Sequence, residues 1–244
     1  MIAIVIIPAR YDSTRFPGKP LCLLTGKPLI QHVYENSKRS RLAKDVVVAT
    51  DSETIFERVL AFGGKAVMTD KDHPSGTDRI AEVAASLDYD IIVNVQGDEP
   101  LIRPEMIDDV ITALDDTRAS IGTLIKKIED PVEISDNNVV KVVFDKERFA
   151  LYFSRAAIPF RAPHSEIQAP EYYKHIGIYS YRRDVLLSLA GMEQTELEKI
   201  EKLEQLRALE NGLKIKVKET FLETFGIDTP EDLERVEKCL NTSL

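Results

Sequence analysis

Apolar positions in the first half of this chain form short continuous runs, separated by stretches with helical spacing. Ile2-Ala3-Ile4-Val5-Ile6-Ile7 is wholly apolar and rich in β-branched residues, the pattern of a strand buried on both faces. Val46 to Thr50 predicts a second strand, with Asp51 as the cap of the helix that follows it. Gly63 to Met68 predicts a shorter third strand. From Thr77, the residues Ile80, Val83, Ala84 and Leu87 repeat at helical spacing. Asp90 to Gln96 reads as a strong buried strand that stops at the loop Gly97-Asp98-Glu99-Pro100, and Glu105 to Leu114 as another helix. This βαβαβ order predicts an α/β fold built on a doubly wound, mostly parallel sheet.

Past Thr117 the alternation changes. Strand-like segments follow one another at Ala119–Ile125, Asn138–Phe144, Leu151–Arg155 and Tyr173–Tyr181, with a proline-rich loop, Pro159 to Pro170, before the last. The expectation is one domain over 1–244 with a small antiparallel lobe inserted at about 119–181. Leu197, Ile200, Leu203, Leu206 and Leu209, ended by Gly212, predict a return to helix. Ile215 to Val217 is a short strand. Thr229 caps a last helix with Pro230 at its first position.

Composition narrows the class. The 244 residues are 43% hydrophobic and 30% charged, ordinary for a soluble globular protein. A net charge of −9 argues against nucleic-acid binding, which needs a basic face. Cys22 and Cys239 form no CxxC pair and read as reduced thiols of a cytoplasmic protein. Met1 leads straight into a core strand, which speaks against a signal peptide. No apolar run approaches the roughly 20 residues that cross a bilayer, so no membrane partner is expected.

Candidate chemistry sits where the strands end. GxxxxGKS/T, GxGxxG, GxSxG and HExxH motifs are all absent, and His32, His73, His164 and His175 show no zinc spacing. The first strand runs into Pro8-Ala9-Arg10-Tyr11-Asp12-Ser13-Thr14-Arg15-Phe16-Pro17-Gly18-Lys19-Pro20, a loop with three prolines whose cations Arg10, Arg15 and Lys19 face only Asp12. In open α/β sheets ligands sit beyond the carboxyl ends of the strands. Arg forks, a Lys point charge and turn N–H groups there suit a polyphosphate. Asp98 ends a central strand and is placed to hold Mg²⁺, which favours carboxylates together with substrate phosphates. Asp228 in Gly226-Ile227-Asp228-Thr229-Pro230 reads as a second metal carboxylate or as a residue of a helix cap. Ser75-Gly76-Thr77 with Arg79 reads as an anion-binding helix start or as a simple N-cap.

These segments resemble the 3-deoxy-manno-octulosonate (Kdo) cytidylyltransferases. The resemblance is carried by Ile7 to Leu21, Ser75-Gly76-Thr77-Asp78-Arg79 and Val93-Asn94-Val95-Gln96-Gly97-Asp98-Glu99-Pro100. It continues through Tyr152-Phe153-Ser154-Arg155-Ala156, His175-Ile176-Gly177-Ile178-Tyr179, Leu203-Glu204-Gln205-Leu206-Arg207 and Gly226 to Leu233. Phe16 stands where Leu is more usual. The likeness implies a nucleotide-diphospho-sugar transferase-like fold, a cytoplasmic homodimer and Mg²⁺ as cofactor. Its substrates would be CTP and Kdo, its products CMP-Kdo and pyrophosphate, in service of lipopolysaccharide assembly.

The same likeness assigns residues. Arg10, Lys19, Asp98 and Asp228 would be catalytic, with Asp98 and Asp228 on the metal. Pro8, Ala9, Arg10, Ser13, Arg15, Lys19, Ser75, Gly76, Arg79, Gln96 and Asp98 would bind CTP. Gln96, Arg155, His175, Tyr179, Glu204 and Gln205 would bind the sugar, Arg155 through its carboxylate. A glycosyltransferase of similar fold would often carry a D-x-D metal motif, whereas here Asp98 is followed by Glu99-Pro100. A non-catalytic nucleotide-binding module is the other alternative.

Overall fold

The structure is a computed structural model that describes residues 1–12, 16–163 and 170–242, with side chains up to residue 238. Ser13, Arg15 and His164, and the side chain of Cys239, lie outside the described residues. The strands in chain order are β1 (Ala3–Ala9), β2 (Leu23–Leu24), β3 (Lys27–Pro28), β4 (Ala43–Thr50), β5 (Ala66–Met68), β6 (Ile91–Asn94), β7 (Ile121–Lys127), β8 (Lys141–Phe144), β9 (Ala150–Ser154), β10 (Tyr173–Arg182) and β11 (Ile215–Glu219). The helices are α1 (Leu29–Ser37), α2 (Glu53–Ala61), α3 (Gly76–Ala85), α4 (Pro104–Ala113), α5 (Pro131–Ser135), α6 (Arg183–Ala190), α7 (Glu196–Glu201), α8 (Gln205–Glu210) and α9 (Pro230–Thr242).

The main sheet runs β11-β7-β10-β6-β1-β4-β5. β1 pairs in parallel with β4 on one side and β6 on the other, and β5 extends the parallel half beyond β4. β10 enters antiparallel between β6 and β7, and β11 lies parallel to β7. The antiparallel pattern in the second half of the sequence is therefore continuous with the parallel strands, and the β8–β9 hairpin branches from β10. β2 and β3 form a separate small antiparallel pair.

β1 explains why both faces must be covered. Ala3, Val5, Ile7 and Ala9 pack into one core with α1, α2 and α4, while Ile4 and Ile6 pack into the other with α3, α6 and α8. Alternate side chains point to opposite faces of a strand, so an unbroken apolar run requires helices above and below. The chain moves outward from β1 to β4 and β5, then returns through α3 to β6 on the other side of β1. That reversal opens a crevice at the carboxyl ends of β1 and β6, where open α/β sheets bind ligands.

One local expectation is corrected. α2 is capped by Ser52, whose hydroxyl accepts from the Ile55 N–H, and not by Asp51, which accepts instead from Arg79 at 2.8 Å. The leucine series from 197 to 209 is helical as expected, and it is divided into α7 and α8 at Lys202, which adopts φ 55°. A strict period of three drifts around an α-helix of 3.6 residues per turn, so one straight helix could not bury the whole series. The turn leaves Ile200 exposed and returns Leu203 and Leu206 to the core. The last helix follows the pattern, with the Thr229 hydroxyl accepting from the Asp232 N–H at 3.3 Å.

α8 is locked by a dry ion pair. Arg207 donates to Glu198 from two nitrogens at 2.7 and 2.8 Å, and to the carbonyls of Leu189 and Met192. Both side chains are 6% exposed. Removing one partner strands a buried charge, so Glu198→Ala should lower folding stability by about 3–5 kcal/mol. Urea unfolding monitored by circular dichroism checks this, and a loss under about 1 kcal/mol would mean that water reaches Arg207.

Candidate active site

Local backbone geometry brings the first cation inward. After β1 the chain loops out and returns, the Gly18 N–H donating to the Tyr11 carbonyl at 2.9 Å. Gly18 takes φ 69° and starts a short 3₁₀ turn over Lys19–Leu21. Lys19 is thereby turned into the crevice, its side chain only 13% exposed. Its ammonium donates to Asp98 Oδ2 at 2.6 Å and to Asp228 Oδ1 at 3.2 Å.

Asp98 reaches this point because β6 ends beside β1. A Cβ on Gly97 would stand 2.9 Å from the Pro8 carbonyl oxygen, so only glycine lets the two loops meet this closely. Asp228 comes from a distant segment. The Ile227 N–H donates to the Asp98 carbonyl at 2.9 Å, and the Ile227 side chain is fully buried with Leu24, Leu29 and Val236. The two expected metal carboxylates are thus adjacent in space.

Around them lies a cavity of about 270 Å³. Pro8, Ala9, Arg10 and Lys19 form one wall, Ser75 and Gly76 another, and Gln96, Gly97, Asp98 and Asp228 a third. Ser75 caps α3, its hydroxyl accepting from the Asp78 N–H at 3.2 Å. Arg79 also lines the cavity, but it is buried and committed, donating to Thr69, to the Asp70 carbonyl and to Asp51. Its first task is to tie α3 to the ends of β4 and β5.

A second cavity of about 270 Å³ adjoins the first, and Gln96 lines both. Tyr179, Tyr181, Glu204 and Gln205 line it, together with Thr77 and Asn94. Gln96 donates to Asn94 at 3.3 Å. Asn94 and Thr77 stand beside Tyr181 in this cavity, and Thr77 also beside Glu204. Burial drives the Glu204 carboxyl above its usual range and pushes Tyr179 and Tyr181 upward as well. Gln205 is buried, and its Nε2 has no hydrogen-bond partner among the described residues. A buried amide donor at a cavity wall is built to meet a polar ligand.

His175 and Tyr179 owe their placement to an irregularity in β10. The register against β7 shifts between Ile176 and Tyr179. The Thr123 hydroxyl donates to the Ile178 carbonyl at 2.8 Å and lies 2.9 Å from His175 Nε2. With that proton spent, the imidazole is the donor to Thr123. The ring packs edge-on against Phe153 at 5.1 Å and beside Tyr179 at 5.3 Å. His175 therefore backs Tyr179 and does not itself line either cavity. Arg155 is likewise apart from both linings: its guanidinium donates to the carbonyls of Glu201 and Asn137 at 2.9 and 3.0 Å.

Sequence reasoning passed over Asn94 and Tyr181, and read Thr77 only as part of the anion-binding helix start, whereas it lines the second cavity. Asn94 left a trace, being the one amide in the run Ile91-Ile92-Val93-Asn94. It also passed over Glu99, which burial and the neighbouring Asp98 raise to about 7.

A cytidylyltransferase family profile matches residues 4–215. The chain is 54% identical to the 3-deoxy-manno-octulosonate cytidylyltransferase of Thermodesulfovibrio yellowstonii, over 99% of each chain. It is 55% identical to that of Geotalea uraniireducens, over 95% of this chain and 96% of the other. This chain belongs to the 3-deoxy-manno-octulosonate cytidylyltransferase family. A solved CMP:2-keto-3-deoxy-manno-octonic acid synthetase complexed with CTP superposes with a TM-score of 0.94 at 43% identity, over the whole of both chains. A 4-diphosphocytidyl-2C-methyl-D-erythritol synthase from Anaerococcus prevotii shares the fold alone, with a TM-score of 0.65 at 13% identity over 98% of each chain. The family profile stops before Asp228, whereas the full-length relatives span it.

The His175 ring gives this member of the family a pH signature. Burial lowers its pKa from 6.5 to about 3, so the unfolded chain takes up a proton that the folded one refuses. Stability is whole above pH 6.5 and falls as pH drops toward 3, by up to about 1.4 kcal/mol per pH unit. His175→Phe should flatten that slope in urea midpoints taken between pH 7 and pH 4. An unchanged slope would mean that the folded protein protonates this ring.

Proposed function

We propose that this protein transfers the cytidylyl group of CTP to Kdo, giving CMP-Kdo and pyrophosphate. The observation that carries this reading is the pair of cavities sharing Gln96: one cationic and closed by two carboxylates, the other lined by hydroxyl, amide and carboxyl groups. The nucleotide occupies the first. Arg10 and Lys19 face its phosphates, Ser75 and Gly76 offer the free N–H groups of the α3 start, and Pro8 and Ala9 supply backbone close to the base or ribose. The family likeness adds Ser13 and Arg15 to this set by sequence alone.

The sugar occupies the second cavity. Tyr179, Glu204, Gln205 and Gln96 meet its hydroxyls, with His175 fixing the Tyr179 ring from behind. Arg155 holds α7 to the 137 loop through Nε and Nη1, which leaves the Nη2 donors to meet the sugar carboxylate. The anomeric hydroxyl is presented across Gln96 to the α-phosphorus, in line with the leaving pyrophosphate. Such transfers are won by position and charge more than by covalent participation of the protein.

Asp98 and Asp228 fit Mg²⁺. Both already hold one cation, the Lys19 ammonium, between them. Two carboxylates plus phosphate oxygens is an ordinary magnesium environment, consistent with no cluster of three or more protein donors among the described residues. The ion supplies charge neutralisation at the phosphates. The reading extends to a cytoplasmic homodimer in which exposed Leu151 and Phe160, in the antiparallel half of the chain, are candidates for burial between copies.

Purified protein with CTP, Mg²⁺ and a panel of sugar acids should release pyrophosphate with Kdo foremost, and chelation should abolish it. No release with Kdo would refute the reading. Asp98→Asn should lower turnover about 100-fold or more, because it removes charge from the transferring group's surroundings. Near-normal turnover at saturating Mg²⁺ would remove Asp98 from the metal site. Gln205→Ala should raise the KM for Kdo about tenfold, the size of one lost buried hydrogen bond, while the KM for CTP stays put. A change confined to CTP would move Gln205 to the other cavity.

A further inference from the structure

Residues 221–228 carry Asp228 into the crevice without belonging to any strand or helix. A segment with no ladder or helix of its own must be fixed by particular contacts. Upstream, Lys126 on β7 pairs with Glu223 at 2.6 Å and donates to the Phe221 carbonyl at 3.2 Å. Downstream, Ile227 is buried and its N–H is bonded to the Asp98 carbonyl. Between these anchors the Phe225 ring stacks under the Arg235 guanidinium at 5.3 Å on the α9 side, and the loop after β6 meets the segment through Glu99.

Thr224 lies beside the Glu99 carboxyl, and the two border the same small gap. Gly226 passes so close that a Cβ there would stand 3.3 Å from Glu99 Oε1. The other oxygen, Oε2, is buried and has no hydrogen-bond partner among the described residues. Beside Glu99 is a gap of about 10 Å³ bordered mainly by Val95, Ile102, Ile176 and Ile178, with Thr224 on one side, too apolar to hydrate the carboxyl well. Burying a carboxyl with an unmatched oxygen is costly. Leu or Met would fill the space without that cost, but neither would set a polar group beside Thr224.

We propose that Glu99 is the positioning residue that clasps the 224–227 segment to the loop after β6, and so sets the spacing between Asp98 and Asp228. Glu99 touches neither substrate nor metal in this assignment. It rests on the proposed function only in taking those two carboxylates as the metal pair. The clasp works in one unit: Asp98 and Glu99 are consecutive, so the residue that offers one carboxylate to the metal is joined to the one that places the other.

The test uses full-length Glu99→Ala, Glu99→Gln and Thr224→Val. Hydrogen exchange on the metal-free proteins reads the clasp directly. Glu99→Ala should speed exchange at the Ile227 amide at least tenfold while leaving β1 and β6 unchanged. Glu99→Gln keeps the shape and a hydrogen-bond acceptor, and should stay near wild type. In pyrophosphate release, Glu99→Ala should raise the Mg²⁺ concentration for half-maximal rate at least tenfold, with kcat at saturating Mg²⁺ within about threefold of wild type. Should Glu99→Ala fail to fold, Thr224→Val carries the same expectations at smaller size. Wild-type exchange in Glu99→Ala, or equal damage in Glu99→Gln, would overturn the assignment, the latter by making the charge the working feature. Loosened exchange together with no Mg²⁺-dependent turnover in the wild type would sustain the clasp and sink the proposed function instead.

Discussion

Two carboxylates do not rest side by side in a partly dry cleft without a cation between them. Here Lys19 supplies that cation, with Asp98 at 2.6 Å and Asp228 at 3.2 Å. The arrangement draws on three remote pieces of chain, and each is delivered by a separate packing event. Gly97 lets β6 end against the Pro8 carbonyl, the Gly18 turn swings Lys19 inward, and the burial of Ile227 brings Asp228. The site is thus a product of close approach at the carboxyl ends of β1 and β6, where the sheet topology reverses.

The antiparallel entry of β10 makes the second half of the site. Tyr179 falls opposite Asn94 and Tyr181 opposite Ile92, which lines up the tyrosines of one strand with the polar end of its neighbour. The bulge after Ile176 then moves Gly177 into the wall of the second cavity and tucks His175 behind Tyr179. α8 closes that cavity with Glu204 and Gln205, and the Glu198–Arg207 pair holds α8 in place. A charge pair that is dry on both sides adds little net energy but strongly penalises any other arrangement. That suits a helix that must present two polar side chains at a set angle.

Burial shapes the ionisation of the second cavity throughout. Glu204, Tyr179 and Tyr181 are all pushed toward their neutral forms, and so is the His175 ring behind them. The cavity is therefore less ionic than its residue types suggest, and suited to hydroxyls, beside a first cavity that holds a Lys–Asp–Asp cluster. In the family reading, that division matches a polyhydroxylated sugar meeting a metal-bound triphosphate.

Much of this was legible in the residues themselves. The apolar run of β1, the strand ending at Gly97, the proline-rich cationic loop and the α3 start each announce themselves locally, because burial on two faces, turn chemistry and capping act over a few residues. The resemblance to the cytidylyltransferases rested on the same short segments. Tertiary structure alone decided what lies between segments. It set Asp98 beside Asp228, turned Arg155 toward backbone carbonyls, gave the α2 cap to Ser52 so that Asp51 could hold Arg79, and broke the leucine series at Lys202. The reason is one of range: a periodic pattern records which side of its own element a residue faces, whereas the partner it meets depends on where distant elements pack.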